Sequence, residues 1–469
     1  MDANDYNRLR ELASTKLNAQ ASRAALFQSY YDNEAGIITL MDTEERRTFK
    51  TFLAESSEDW CALVVNAVAE RLKVTGFRFG SEAASDAAWA IWQANGMDAD
   101  SLLVQADALT MSSSFLLVQA DDDNPTGVSM CAESPMQATV LYEPGSRRKR
   151  LAGYKRYAAE ADIWAQTELA AAQSGAAVEV LILPDEIITW NPGDSRDRPL
   201  VEPNPAGVVG LVEVVPQPRT IGPPRSELGP AMSTQDRINT TIFARMVATD
   251  FGAFRTIWAT GVKIARNVIK GEDGDVTQVV PPFQLGANRL LTNEDPAGRF
   301  GGIPESTLSG YLSSVSQDVD HLAAITQTPP HYLLGTIANL SADAIKAAET
   351  GLVAKCVLRS LFIGESYEEA MRIALALTGN AAATDTAAEV VWADMETRSM
   401  AQLVDALSKL GAPPIGVPQQ VLWEQYGASP QTIDRWKALK AAEPPPPVPP
   451  APPEPAPEPV PPEPVPVAG

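Results

Sequence analysis

The chain has 469 residues, 45% hydrophobic and 20% charged, with 37 basic against 59 acidic side chains and a formal net charge of −22. At roughly 150 residues per domain this allows about three domains or one large irregular subunit, with apolar content enough for a sizeable core. The acidic balance argues against a main surface that grips nucleic-acid backbone, because phosphate binding needs clustered Lys and Arg; it suits a protein that must not adhere to nucleic acid passing by.

The segment Met1–Ser14 is polar and mixed in charge, without the apolar stretch of a signal peptide. Tyr6–Tyr31 then predicts a helix, with Leu9, Leu12, Leu17 and Leu26 on a loose helical period. A mixed region follows over about Trp60–Pro218. Trp60–Leu72 reads as a helix, since Ala62, Val65, Ala69 and Leu72 share a face, and Ala83–Asn95 as another, ended by Asn95-Gly96. Ser113–Gln119 and Val128–Ala132 read as strands around the acidic turn Asp121–Gly127. That turn does not suit calcium: Pro125 stands where an oxygen ligand is needed and no Glu closes the loop. Further strands are predicted at Ala138–Tyr142, Val178–Leu183 and Glu186–Trp190. Arg147-Arg148-Lys149-Arg150 is a dense basic run, readable as a solvated strand end with acidic neighbours or as a nucleic-acid contact.

Pro203–Pro230 is rich in Pro and Gly and reads as a linker around one strand, Val208–Val215. Ser233–Phe254 is a strong helix pattern, with Ser233 or Thr234 as cap and Asp236 at the positive end of the dipole. Ile238, Ile242 and Met246 form one apolar stripe and Phe243, Val247, Phe251 and Phe254 another, so this helix should pack against more than one neighbour. Thr256–Gly302 is short-stranded and turn-rich, with a turn at Gly271–Gly274 and a breaker at Pro281-Pro282. A second helix is predicted over Pro304–Thr326. There Leu308, Tyr311, Leu312, Val315, Val319, Leu322 and Ile325 keep a three–four spacing, and Thr328-Pro329-Pro330 ends it. An uncharged loop precedes a third helix from Ser341 to about Phe362, weakened in its middle by Gly351. Tyr367–Leu377, a strand at Glu389–Trp392 and two or three short helices complete the body near Ala442. Beyond it, 15 of the chain's 38 prolines fall between Pro444 and Gly469, which predicts an extended, polyproline-like tail without a fixed fold. The fold class is thus α+β.

Three scattered cysteines, Cys61, Cys131 and Cys356, make no disulfide framework and imply a reducing compartment for folding. No run of about 18 apolar residues occurs, so no transmembrane helix is expected. The sequence carries no P-loop, no dinucleotide-binding G-x-G-x-x-G after a strand and no G-x-S-x-G elbow. Its two histidines, His321 and His331, flank the double proline and lack metal-ligand spacing. The expectation is a protein that is not an enzyme and uses no cofactor or metal.

From Arg225 to Lys355 the chain resembles phage portal proteins, in particular the Gp6-like portal family of tailed bacteriophages. The matching pieces run in order: Arg225-Ser226-Glu227-Leu228, then Gln235-Asp236-Arg237-Ile238-Asn239, Phe283-Gln284-Leu285-Gly286, Thr328-Pro329-Pro330-His331-Tyr332-Leu333-Leu334-Gly335, and Asn339-Leu340-Ser341-Ala342-Asp343-Ala344-Ile345. Upstream, Tyr30-Tyr31-Asp32-Asn33-Glu34 is similar to the family's Tyr-Tyr opening, with Asn33 in place of the usual glycine. Downstream, Val391-Trp392-Ala393-Asp394 with Arg398-Ser399 also fits.

The resemblance implies a portal fold. Residues 1–230 would form N-terminal helices and a mixed α/β wing, and 231–256 a first stem helix. Residues 257–303 would be a small β-containing clip, 304–327 a second stem helix and 328–340 a tunnel loop. A support helix and wing return (341–390), crown helices (391–442) and a disordered Pro-rich tail (443–469) would follow. It implies a ring, usually of twelve subunits, at one capsid vertex, assembled in the host bacterial cytoplasm. Its partners would be the terminase large subunit, the head–tail adaptor, the major capsid protein and double-stranded DNA passing through, with no membrane. Gly335, Thr336, Ile337, Ala338, Asn339 and Leu340 would form the uncharged, DNA-facing loop. Lys346, Lys355 and Arg359 are candidates for weak phosphate contacts or for salt bridges to neighbouring subunits. Ile238, Ile242, Met246, Leu308, Leu312, Val315, Val319 and Leu322 would line subunit interfaces of the stem. Another virion head or adaptor protein, or a carboxylate-based hydrolase, are the rival readings.

Overall fold

A computed structural model describes residues 3–34, 55–158, 177–192, 198–253, 257–260, 266–271, 274–279, 297–302, 307–334, 342–396, 400–428 and 430–442. The chain divides into two units, Met1–Val404 and Asp405–Gly469.

The first unit opens with helix α1 (Ala3–Tyr31), followed by α2 (Trp60–Ala69), strand β1 (Val74–Arg78), α3 (Glu82–Ala94) and α4 (Met97–Met111). Each of α2 and α3 starts on a side-chain cap: Asp59 accepts from the Ala62 amide and Ser81 from the Ala84 amide. Strands β2 (Ser114–Ala120), β3 (Val128–Glu133) and β9 (Leu211–Val214) form one antiparallel sheet in the order β3–β2–β9. Strands β4 (Ala138–Tyr142), β5 (Arg150–Ala158), β6 (Ala177–Ile182), β7 (Glu186–Trp190) and β8 (Leu200–Pro203) form a five-stranded antiparallel meander. The basic run Arg147–Arg150 lies at the start of β5, where Lys149 pairs with Glu143 and Arg150 with Glu369.

Helix α1 covers one face of the meander. Ala13 and Leu17 are buried with Ala152, Tyr154, Leu181 and Trp190. Polar bonds fix its position. Arg10 makes two 2.6 Å bonds to the Glu179 carboxylate, which also accepts from the Tyr154 hydroxyl at 2.6 Å. Gln20, itself buried, donates to the carbonyls of Pro135 and Ala138. Phe115, Leu117, Val209 and Leu211 close the opposite face of the meander. Two close approaches, one between the two sheets and one between β2 and the lead-in to β9 within one sheet, leave no room for a side chain. A Cβ on Gly153 would lie 2.9 Å from the Leu211 Cβ, and a Cβ on Gly210 would lie 2.2 Å from the Val118 carbonyl oxygen.

The chain then enters α5 (Met232–Ala253), two antiparallel ribbons, β10 (Ile257–Thr260) with β13 (Arg299–Gly302) and β11 (Arg266–Gly271) with β12 (Gly274–Val279), and α6 (Ser309–Thr326). The short helix α7 (Pro330–Leu334) precedes the long α8 (Ala342–Leu377), and β14 (Glu389–Trp392) returns to pair with β1. The large core lies among α2, α3, α4, β2 and α8, where Phe77, Trp92, Tyr367 and Trp392 form a run of ring contacts. Helix α9 (Met400–Gly411) crosses into the second unit, which holds α10 (Gln419–Gln425) and α11 (Pro430–Ala442). There Trp423 and Tyr426 meet the Trp436 ring.

Most predicted elements are present, but five were not foreseen: α4, β1, β5, β8 and α7, the last at the start of the stretch expected to be a loop. Helix α4 packs against both α1 and α2 as well as the β2–β3 sheet, so its apolar residues do not concentrate on one stripe. Strand β5 alternates correctly, but one inward position is Arg156, which bonds Asn18 of α1 at 2.8 Å. The third predicted helix does not stop near Phe362. It continues unbroken to Leu377, past Gly351 and Gly364. Gly364 faces the Trp392 ring, and a Cβ there would lie 3.6 Å from the Trp392 Nε1, an ordinary contact distance.

Replacing Gly210 with alanine forces its new Cβ against a strand backbone, which cannot move as a side-chain tip can. We expect a loss of about 1–3 kcal/mol in chemical unfolding of the full chain. An unchanged midpoint would show that the β2–β9 spacing is not fixed by this residue.

Candidate functional site

Among the described residues, the motif segments around Ser226, Gln235 and Thr328 meet at the base of a helical hairpin. Arg237, near the start of α5, donates to Asp318 of α6 at 2.9 Å. Ile257, just past the end of α5, pairs with Gly302, just before α6. The two helices therefore run antiparallel. Ile238, Ile242, Val319 and Leu322 are buried in the main core, which plants this end of the hairpin. Met246 and Val315 are half-buried, Leu308 is half-exposed, and Leu312 is 55% exposed. The stripe expected to face other subunits is thus divided. Its core-proximal residues are used within the chain, and Leu312 remains open.

The lead-in to α5 is fastened first. The Ser226 hydroxyl donates to the Thr110 carbonyl at 2.5 Å and accepts from the Leu228 amide, and the Glu227 amide donates to the Leu109 carbonyl. These bonds occupy carbonyls at the end of α4 that its own helix leaves unpaired. The Gln235–Asn239 motif is also structural. Gln235 accepts from the Trp60 amide and donates to the Glu58 carbonyl, Asn239 accepts from the Glu58 amide, and Asp236 accepts from the Tyr30 hydroxyl. Asn33, at the position where a glycine was the expected residue, has φ of +59°. Asparagine is one of the few side chains that enter this left-handed region readily.

The Glu227 carboxylate is the polar centre of the hairpin base. It accepts from Gln217 at 2.6 Å and from Arg359 at 2.5 Å, and the Lys355 ammonium lies 3.0 Å away. Lys355 also donates to the Thr326 carbonyl at the end of α6, at 2.8 Å. One buried cluster thereby joins the lead-in to α5, the end of α6 and the middle of α8. Burial alone would raise the Glu227 pKa, but Lys355 and Arg359 outweigh it and hold the carboxyl below its ordinary value. The salt bridges considered for Lys355 and Arg359 are therefore made inside the chain, to Glu227. The Lys355 side chain is 3% exposed, so its ammonium does not reach solvent here. Lys346 is exposed on the first turns of α8.

A second cluster lies beside α7. Arg71 of the α2–β1 turn donates to the Tyr332 hydroxyl at 2.7 Å and stands over the Tyr332 ring. It also lies 3.7 Å from Glu349 on α8, and the His331 Nε2 lies 3.6 Å from the same carboxylate. Glu349 is buried. Arg71 thus ties together the two stretches that flank the expected tunnel loop. Gly335, Thr336, Ile337, Ala338, Asn339 and Leu340 themselves lie outside the described residues. So does the Phe283–Gly286 motif. Arg71 was missed in the sequence because it stands alone, more than 200 positions from its partners, with no local pattern to single it out.

Nothing in this cluster set resembles a reaction centre. Among the described residues no group of three or more His, Cys, Asp or Glu side chains could hold a metal. The cysteines are free, and burial pushes the Cys61 thiol up to about 12 and Cys356 to about 11. Among the described residues no helix is long and apolar enough to cross a membrane.

The family model described as "Phage portal protein, SPP1 Gp6-like" matches residues 13–445. The portal protein of Mycobacterium phage D29 is 28% identical over 401 residues, covering 81% of this chain and 78% of that protein. The portal protein of Mycobacterium phage L5 is 29% identical over 364 residues, covering 74% and 71%. A solved chain from the virion of a native gene transfer agent particle aligns at 11% identity with a TM-score of 0.43, over 83% of this chain and 95% of that one.

The Glu227 cluster gives a direct test. Glu227→Gln leaves two buried cations facing a neutral amide, and should cost roughly 3–5 kcal/mol of stability. Because the folded pKa is depressed, the carboxylate's contribution is present above the ordinary glutamate value of about 4.3 and is lost as pH falls through the folded value. Melting curves across that acid range should therefore be flatter for the variant than for the parent. Parallel acid limbs would show that the ion pairs contribute nothing.

Proposed function

Since the chain belongs to the SPP1 Gp6-like phage portal family, we propose that its copies close into a ring, twelve being the family's usual number, that forms the DNA channel at one capsid vertex. The chain is a structural virion protein and not an enzyme. On this reading α5 and α6 are the stem helices lining the channel, and the ribbons β10–β13 and β11–β12 belong to the clip that docks the terminase large subunit and later the head–tail adaptor. Residues 335–340 are the tunnel loop, and the second unit contributes to the crown. The major capsid protein surrounds the ring.

The observation that supports this most is the hairpin itself. Its base is planted in the core, while Leu312 on α6 and Leu358 and Leu361 on α8 remain exposed, the last at 61%. Exposed apolar side chains on these helices are the pattern expected where identical copies pack side by side. The net charge of −22 per chain is multiplied around a ring, so a channel lined by such copies would repel phosphate and let a duplex slide. An uncharged loop beside the duplex would not form the charge-assisted bonds that arrest it. ATP hydrolysis then falls to the separate motor, in keeping with a sequence that carries no P-loop.

Mass photometry of the purified chain should show a particle near twelve times the monomer mass. Leu312→Asp should lower the ring fraction while leaving the monomer's melting curve unchanged, because Leu312 is open in the single chain. Val319→Asp, in contrast, should unfold the monomer, since a buried unpaired charge costs several kcal/mol. A monomer under all salt conditions would refute the ring. Independently, Asp substitutions across Thr336–Asn339 should leave ring assembly intact and reduce DNA packaged per particle; full packaging would remove the loop assignment.

A further inference from the structure

A cleft of about 590 Å³ lies in the first unit, walled by α1, the ends of β4 and β9, the Pro218–Pro224 segment and α8. Its lining is cationic: Lys16, Arg23, Arg147 and Arg219 face it, against a single acid, Glu213. Glu213 already accepts a 2.8 Å bond from the Tyr142 hydroxyl. Lys16 donates to the Val140 carbonyl, but among the described residues none of the four cations forms an ion pair. Arg23 is the most demanding of them. Its Nε is buried and has no hydrogen-bond partner, and burial lowers its pKa from the ordinary arginine value. A buried N–H without an acceptor is costly to a fold, and four cations against one carboxylate, Glu213, in one cleft contrast with a chain of net charge −22.

A lining of this charge suits an anion, and its form bears on which kind. A duplex presents a line of phosphates and is held by an extended basic surface; here the cations are gathered into one concavity on an acidic chain. Three prolines and Phe362 add apolar walls suited to a side chain with a carbon stem. The most abundant source of such side chains at a ring boundary is the next copy, with 59 acidic residues. We propose that this cleft receives an acidic side chain of the neighbouring copy, whose carboxylate pairs with Arg23 and Arg219 and fixes the rotational register of the ring. The inference rests on the ring reading above and assigns one of its contacts.

Two experiments test it on the full chain. Rings assembled from mixed heavy-isotope and unlabelled chains are treated with a zero-length carbodiimide, which joins an amine to a carboxylate in direct contact. Mass spectrometry should find Lys16 joined to an Asp or Glu of a differently labelled copy. Arg147→Glu combined with Arg219→Glu, both at exposed positions, should lower the ring fraction about tenfold at about 0.1 M salt with the monomer's melting curve unchanged, and the Arg→Lys pair should assemble normally. If the wild type forms rings and the Glu pair forms them equally well, this inference fails and the ring reading stands. If the wild type forms no ring, both fail. Retention of a short DNA duplex by the wild type that the Glu pair loses, with assembly unaffected, would also overturn the inference and give the cleft to phosphate.

Discussion

A carboxylate taken out of water must be met by cations or hydrogen-bond donors, and the Glu227 site shows how much structure that requirement can organise. Glu227 sits on the segment before α5, Lys355 and Arg359 on α8, and Lys355 in turn holds the last turn of α6 through Thr326. Three parts of the chain, the outermost 132 residues apart, meet because none of these charges can be left alone. The hairpin's base is therefore set by electrostatics as well as by Ile238, Ile242, Val319 and Leu322.

The sequence carried the helices with clear stripes, the strands with clean alternation and the family motifs. What it did not carry was the use of those motifs. Gln235, Asp236 and Asn239 looked like part of a helix pattern, and they prove to be the partners of Glu58, Trp60 and Tyr30. Lys355 and Arg359 looked like exposed cations on a helix. Their acidic partner lies more than 120 positions earlier, and no local rule connects them. Helix α4 and strand β5 escaped for a related reason: each is buried on several sides or carries a charged residue inward, which blurs the period that reading depends on.

The division of apolar residues follows the same logic. A single stripe of three–four spacing on α6 serves two environments, with Val319 and Leu322 in the core and Leu312 in the open. Periodicity alone reports that a face is apolar and not which body covers it. The cationic cleft is its polar counterpart, a concentration of one charge sign that the isolated fold does not neutralise.

Helix α8 is continuous over 36 residues, which at about 1.5 Å per residue makes a rod of roughly 54 Å. Glu349 near its beginning meets Arg71 and His331, Arg359 in its middle meets Glu227, and Tyr367 further on stacks with Trp392. No proline interrupts the rod, and it stays helical through Gly351 and Gly364. The charged contacts beside α7, the buried carboxylate and the aromatic stack are thus spaced along a single rod, and each holds a different part of the chain to it.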